Sequence, residues 1–210
     1  MALLQQAELF TAGSQLPRGF IYRPEFISRD EEASLVAEIQ ALPLAEAKYK
    51  EFTARRRTVS YGGQYDYTLN KLEAAPSIPE FLLPLREKVA RWADIAPAKF
   101  VHGLVSEYRP GTPLGWHRDV PNFEVIVGVS LAAPARMRLR PYRPGEKQRR
   151  EDVIALELES RSAYIIRDDA RWGWQHSVSP TKALRYSITF RTARKRNHPH
   201  PDLASDGEGE

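Results

Sequence analysis

Apolar residues recur at helical spacing in the first half of the chain; in the second half they form short runs broken by turns. Leu35, Val36, Ile39 and Leu42 stand three or four apart behind Ser28-Arg29-Asp30-Glu31, whose Ser-to-Glu spacing is that of a capping box, and Pro43 closes the run. A helix opening at Ser28 is predicted. A second helical face, Leu82, Leu85, Val89 and Trp92, follows Pro79, a residue suited to a first turn, although Pro84 disturbs its start. After Pro97 the pattern changes: 100–108, 124–131, 135–140, 152–158, 161–166 and 183–191 favour strands, separated by turns such as Arg109-Pro110-Gly111 and Arg143-Pro144-Gly145. Short strands without helices between them predict an α+β, mainly β fold: an antiparallel barrel or jelly roll buttressed by the N-terminal helices.

With 210 residues and 42% hydrophobic content, the chain is expected to form one domain over 1–196, followed by a disordered polar tail over 197–210. No apolar run approaches the roughly 18 residues a bilayer span needs, and the opening residues lack the basic start and apolar stretch of a signal peptide. A cytoplasmic monomer is expected. The absence of cysteine removes disulfides and thiolate metal sites, leaving His and carboxylates as the good ligands. The formal charge of +4 is concentrated at Arg55-Arg56-Arg57, between Arg136 and Arg150, and at Arg194-Lys195-Arg196. Such runs suit either a phosphate-binding face or a solvated surface.

Of the five histidines, His198 and His200 fall in the tail, which leaves His102, His117 and His176. His117 and Asp119 are two apart, so in an extended segment both project from one face, as ligands of one metal require. Nine positions after His176 comes Arg185-Tyr186-Ser187-Ile188-Thr189-Phe190-Arg191. On a strand, residues 185, 187, 189 and 191 make a polar face with two arginines, and 186, 188 and 190 an apolar one. An arginine fork binds a carboxylate through two charge-assisted hydrogen bonds. Two His and one carboxylate are the facial set of non-haem iron(II) oxygenases, which leaves positions for a 2-oxo acid and dioxygen. His102, alternating with Leu104 and Ser106, reads as a structural histidine. Trp172 and Trp174 read as apolar cover near His176.

Together, Leu104-Val105-Ser106-Glu107-Tyr108-Arg109-Pro110-Gly111, His117-Arg118-Asp119, His176 and the run from Arg185 to Arg191 resemble the AlkB family of nucleic-acid dealkylating oxygenases, over about residues 55–191. The resemblance implies a double-stranded β-helix core over about 97–191, with His117, Asp119 and His176 on iron(II). It also implies Arg185 and Tyr108 on the distal carboxylate of 2-oxoglutarate, Arg191 completing that site at the metal end, and Ser106 and Ser187 where the family often has Asn. Residues about 50–75 resemble the family's substrate lid. Arg57 there would meet phosphates, and Tyr61, Tyr65 and Tyr67 would stack on a flipped base; an ordinary Tyr-rich hairpin packed on the barrel is an equal alternative for the same residues. The implied substrate is DNA or RNA, although Val120-Pro121 replaces an acidic residue that several repair members carry, and protein side chains are also substrates in the family.

Other readings use the same residues. His117-Arg118-Asp119 echoes a kinase catalytic loop, but Asn122 follows the Asp by three residues rather than five and no Gly-rich loop precedes it. A zinc hydrolase could use the same His, Asp and His, without accounting for the arginine pair. A non-catalytic nucleic-acid-binding module would keep the basic face without needing the metal ligands.

Overall fold

The computed structural model describes residues 16–49, 52–62, 64–66, 71–73, 75–146 and 149–194. The expected tail over 197–210, Lys195, Arg196 and Tyr67 lie outside these residues. The first helix starts where its cap dictates. Ser28 Oγ accepts the backbone N–H of Glu31 at 3.1 Å and the Glu31 carboxylate accepts that of Ser28 at 2.7 Å, so α1 runs Arg29–Gln40. The second pattern splits in two. A 3-10 turn at Glu80–Leu82 leads into α2, Leu83–Ala93, which holds Pro84 in its first turn, where a missing N–H breaks no helical bond.

Thirteen strands are described: β1 Phe20–Arg23, β2 Ala45–Tyr49, β3 Phe52–Tyr61, β4 Gln64–Asp66, β5 Lys71–Glu73, β6 Phe100–Tyr108 and β7 Leu114–His117, then β8 Phe123–Leu131, β9 Ala135–Pro141, β10 Ile154–Leu158, β11 Ala163–Ile166, β12 Trp174–Val178 and β13 Arg185–Ala193. A short helix, α3, spans Asp168–Trp172 before β12. The major sheet has the order β1-β11-β8-β13-β6-β3-β2, the minor sheet β10-β9-β12-β7, and β4 pairs with β5 in a small ribbon. The pairings are antiparallel, as the jelly-roll reading requires.

Period-two alternation in the strands divides the interior into two cores. Val127, Ile165, Ile188 and Phe190 leave the major sheet on the side where α1 supplies Leu35 and Ile39 and α2 supplies Leu85 and Val89. Their neighbours Ile126, Tyr164 and Ile166 leave on the other side and meet Met137, Leu139 and Leu158 of the minor sheet. Each such aliphatic side chain stabilises the fold by about 1.5–3 kcal/mol when fully buried. Gly128 belongs to this design. A Cβ there would lie 2.3 Å from the Tyr164 ring, so only glycine lets that tyrosine lie flat across β8.

The stretch read as the beginning of a lid is part of β3, which pairs with β6 from Arg57 opposite Glu107 to Tyr61 opposite Gly103. Tyr61 is 7% exposed and packs in the core beneath the helices rather than in an open lid, because its strand is internal to the sheet. Arg57 points to the same outer side, donating to the Leu44 carbonyl and to Glu107. Among the described residues, no helix is long and apolar enough to cross a membrane.

Candidate metal and co-substrate site

The space between the two sheets holds a pocket with a metal-binding end and an anion-binding end. At the first end, β7 and β12 are paired with an irregularity: His117 faces His176, while Leu114 faces Val178. Four residues of β7, 114–117, therefore span three of β12, 176–178, a bulge that keeps both Leu114 and His117 turned inward. Asp119 follows in the loop to β8. The donor atoms of His117, Asp119 and His176 all lie within 4.8 Å of one another. His176 Nε2 is 3.7 Å from Asp119 Oδ2, and the two imidazole ring centres are 4.2 Å apart. His117 Nδ1 sits 2.9 Å from the Gly115 carbonyl, so a proton there donates to that oxygen and leaves Nε2 as the free lone pair.

Electrostatics hold these groups in their ligand forms. Burial, and then the neighbouring His117, push His176 down to about 3; burial also lowers His117, against the pull of Asp119. Burial opposes the charge on Asp119, but Arg191 foremost outweighs it and keeps the carboxyl ionised well below the usual range. Arg191 Nε donates to Asp119 Oδ1 at 2.7 Å. A second buried arginine, Arg171, holds the loop itself: it donates to the carbonyls of Asp119 at 3.1 Å, Val120 at 2.8 Å and Phe123 at 2.9 Å.

The other end is built on β6 and β13. Arg185 is 1% exposed, its Nε donates to Ser130 Oγ at 3.0 Å, and its guanidinium lies 4.9 Å from the Tyr108 ring centre. Its Nη1 is buried with no hydrogen-bond partner, an unusual state for a charged donor, since burying one unsatisfied is costly. Tyr108 is buried beside it. Burial resists ionisation of its phenol, while the Arg56 and Arg185 charges outweigh that and lower it from the ordinary value. Ser106 and Ser187 face each other across the β6–β13 register and line the same pocket.

The structure therefore brings together His117, Asp119, His176, Tyr108, Arg185, Arg191, Ser106 and Ser187. Arg57 and Tyr61 are elsewhere, and the Tyr65 side chain is outside the described residues, as is Tyr67. His102 is a buried structural histidine, its Nδ1 3.3 Å from Arg191 Nη1 and its ring 4.8 Å from that of Phe123. Sequence reasoning missed Arg56, Tyr164 and Ser130, of which the first two line the pocket. Alternation could have found Arg56: if Arg57 lies opposite Glu107 on the outer side, the residue before it faces in. Arg171 left no signal, because its partners are main-chain carbonyls.

The residues present fit iron(II) and 2-oxoglutarate. A two-imidazole, one-carboxylate donor set without thiolate suits a ferrous ion, and the unpartnered Arg185 Nη1 suits the carboxylate of a dicarboxylic acid. A profile of the 2OG-Fe(II) oxygenase superfamily matches residues 19–191. Among curated proteins, the chain is 26% identical over 211 residues to "Alkylated DNA repair protein ALKBH8 homolog" of Arabidopsis thaliana, covering 86% of this chain and 59% of that one. It is 26% identical over 172 residues to "Probable RNA/DNA demethylase ALKBH6" of Danio rerio, covering 78% and 70%. The solved structure of OsALKBH1 superposes with a TM-score of 0.66 at 16% identity, covering 85% of this chain and all of that one, and shows the same fold. The chain belongs to the 2OG-Fe(II) oxygenase superfamily and, within it, to the AlkB family. It is a dioxygenase that uses iron(II), 2-oxoglutarate and dioxygen.

Proposed function

We propose that this dioxygenase removes N-alkyl groups from nucleobases of DNA or RNA, with His117, Asp119 and His176 holding iron and Arg185 gripping 2-oxoglutarate. The observation that carries the site assignment is the buried, unpartnered Nη1 of Arg185, in the same pocket as the three metal-ligand candidates. The nucleic-acid half is supported by the DNA repair and RNA/DNA demethylase descriptions of the two relatives and by the +4 charge.

Bound iron(II) and 2-oxoglutarate supply the oxidising power: the co-substrate becomes succinate and CO2 as dioxygen is reduced, and one oxygen atom goes to the substrate's alkyl carbon. The chain's own residues position and shield. Arg191 holds the Asp119 carboxylate ionised and oriented, and Arg171 fixes the backbone that presents it. Ser130 sets the direction of the Arg185 fork, with the Tyr108 hydroxyl beside it. Leu114, Ile126, Met137 and Val178 line the remaining wall and keep water away. Hydroxylation of an N-methyl carbon makes a hemiaminal, whose C–N bond breaks to release formaldehyde and the unmodified base.

Purified protein with iron(II), 2-oxoglutarate and dioxygen should release succinate and aldehyde when given methylated DNA or RNA oligonucleotides. If those fail while methylated peptides stimulate turnover, the substrate class is wrong.

A further inference from the structure

The outer face of the minor sheet carries a cationic arrangement that the pocket does not use. Along β9, Ala135, Met137 and Leu139 are buried, so Arg136, Arg138 and Arg140 share the opposite side. The guanidinium of Arg138 stands 5.0 Å, and that of Arg140 4.3 Å, from the ring centre of a single tryptophan, Trp116 on β7. Each arginine is steadied by a neutral acceptor on β12 that lies between them and Trp116: Arg138 Nε donates to Ser177 Oγ at 3.1 Å and Arg140 Nε to Gln175 Oε1 at 2.9 Å.

Neither arginine has a carboxylate within ion-pair distance among the described residues. Arg136 has Glu157 opposite it on β10, whereas Arg138 has Ala155. Two like charges thus stand over one indole ring without a counter-ion among the described residues. Burial first, and then the charge of Arg138, lower Arg140 from its ordinary value. An anion resting against both would relieve that repulsion. Among the described residues the terminal N–H groups of both forks make no hydrogen bond to a side chain, and a planar fork with free N–H groups suits phosphate oxygens.

The position of this face matters as much as its charge. Trp116 immediately precedes His117, and Gln175 and Ser177 flank His176, so the side chains that hold the arginine pair and the two histidines occupy opposite sides of the same two strands. β7 is the edge of its sheet. A chain gripped on the outer side therefore lies across the same sheet from the pocket, with β12 and β7 between the arginines and the sheet edge.

We infer that Arg138 and Arg140, stacked on Trp116, form a docking site for the phosphodiester backbone of the nucleic-acid substrate. This inference rests on the nucleic-acid reading above. The test uses the full chain and a fluorescein-labelled single-stranded oligonucleotide without modified bases, titrated by anisotropy over a range of salt. Arg138→Gln/Arg140→Gln should weaken binding about tenfold and flatten the slope of log affinity against log salt by about 1.5–2. Arg138→Lys/Arg140→Lys, which keeps the charge but loses the planar fork, should fall between that variant and the wild type. Both variants should form succinate from 2-oxoglutarate in the absence of nucleic acid at the wild-type rate, which establishes that they are folded and loaded.

If the wild type demethylates oligonucleotides while the glutamine variant binds within twofold of it and keeps its salt slope, the docking site is overturned and the enzymatic reading stands. A wild type that demethylates no oligonucleotide overturns both. Loss of binding to anionic phosphatidylserine vesicles, with oligonucleotide affinity unchanged, assigns the face to a membrane and also overturns the proposal.

Discussion

The two ends of the pocket solve opposite electrostatic problems. At the metal end the charges are already balanced: Asp119 is ionised, paired with Arg191 at 2.7 Å, and its loop is held by Arg171. At the other end Arg185 is as deeply buried, yet among the described residues its guanidinium has a serine hydroxyl and a tyrosine ring beside it and keeps one terminal nitrogen unpartnered. A buried cation left incomplete in this way is destabilising until an anion arrives. The difference separates a preformed ligand set from a site that its co-substrate completes.

The largest effect should come from breaking the balanced end. Asp119→Ala removes one metal ligand and strands Arg191, and succinate formation, followed by chromatography, should fall to background. Breaking the incomplete end should act on the co-substrate alone: Arg185→Met should raise the half-saturating 2-oxoglutarate concentration about tenfold to a hundredfold, as loss of a charge-assisted hydrogen bond worth about 1.5–3 kcal/mol implies. Iron binding in that variant should stay as in the wild type.

Arg171→Met removes the side-chain donor from the carbonyls of Asp119, Val120 and Phe123 near the metal loop, of which that of Val120 keeps the Phe123 N–H at 3.2 Å. At about 1–3 kcal/mol for each buried unsatisfied group and about 2–4 °C per kcal/mol for a protein of this size, melting should drop by about 5 °C or more. The smallest effect is on pH. His176 is held at about 3 in the folded protein against an ordinary 6.5, so the unfolded chain binds the extra proton between those values. Metal-free protein should therefore have its full His176 contribution above about pH 6.5 and lose it as pH falls towards 3, measured as melting temperature against pH.

Much of this contrast was legible in the sequence, because the relevant elements have strict periods. The alternation from Arg185 to Arg191 predicted one polar and one apolar face, and Ile188 and Phe190 indeed meet the helices while Arg185 and Arg191 line the pocket. The Ser28 cap likewise marked the start of α1. What stayed hidden depended on tertiary pairing. β7 is four residues long and bulged, too short for a periodic signal, so His117 was placed by its spacing to Asp119 rather than by a strand. β3 carries three consecutive arginines, and only its register with β6 tells which faces inward. Arg57 is absent from the pocket for that reason: a shift of one residue exchanges faces, and Arg56 is the one that lines it. Tyr61 lies in the core beneath the helices, a burial that cannot be read from local composition.

The most direct test of a shared iron and 2-oxoglutarate site needs neither substrate nor oxygen. Under anaerobic conditions, 2-oxoglutarate is titrated into iron(II)-loaded protein while the visible charge-transfer absorption of a ferrous 2-oxo-acid chelate is followed. The account predicts a saturable band in the wild type, saturation shifted to at least about tenfold higher 2-oxoglutarate in Arg185→Met, and no band in Asp119→Ala. A wild type without the band, or both variants titrating as the wild type does, would contradict it.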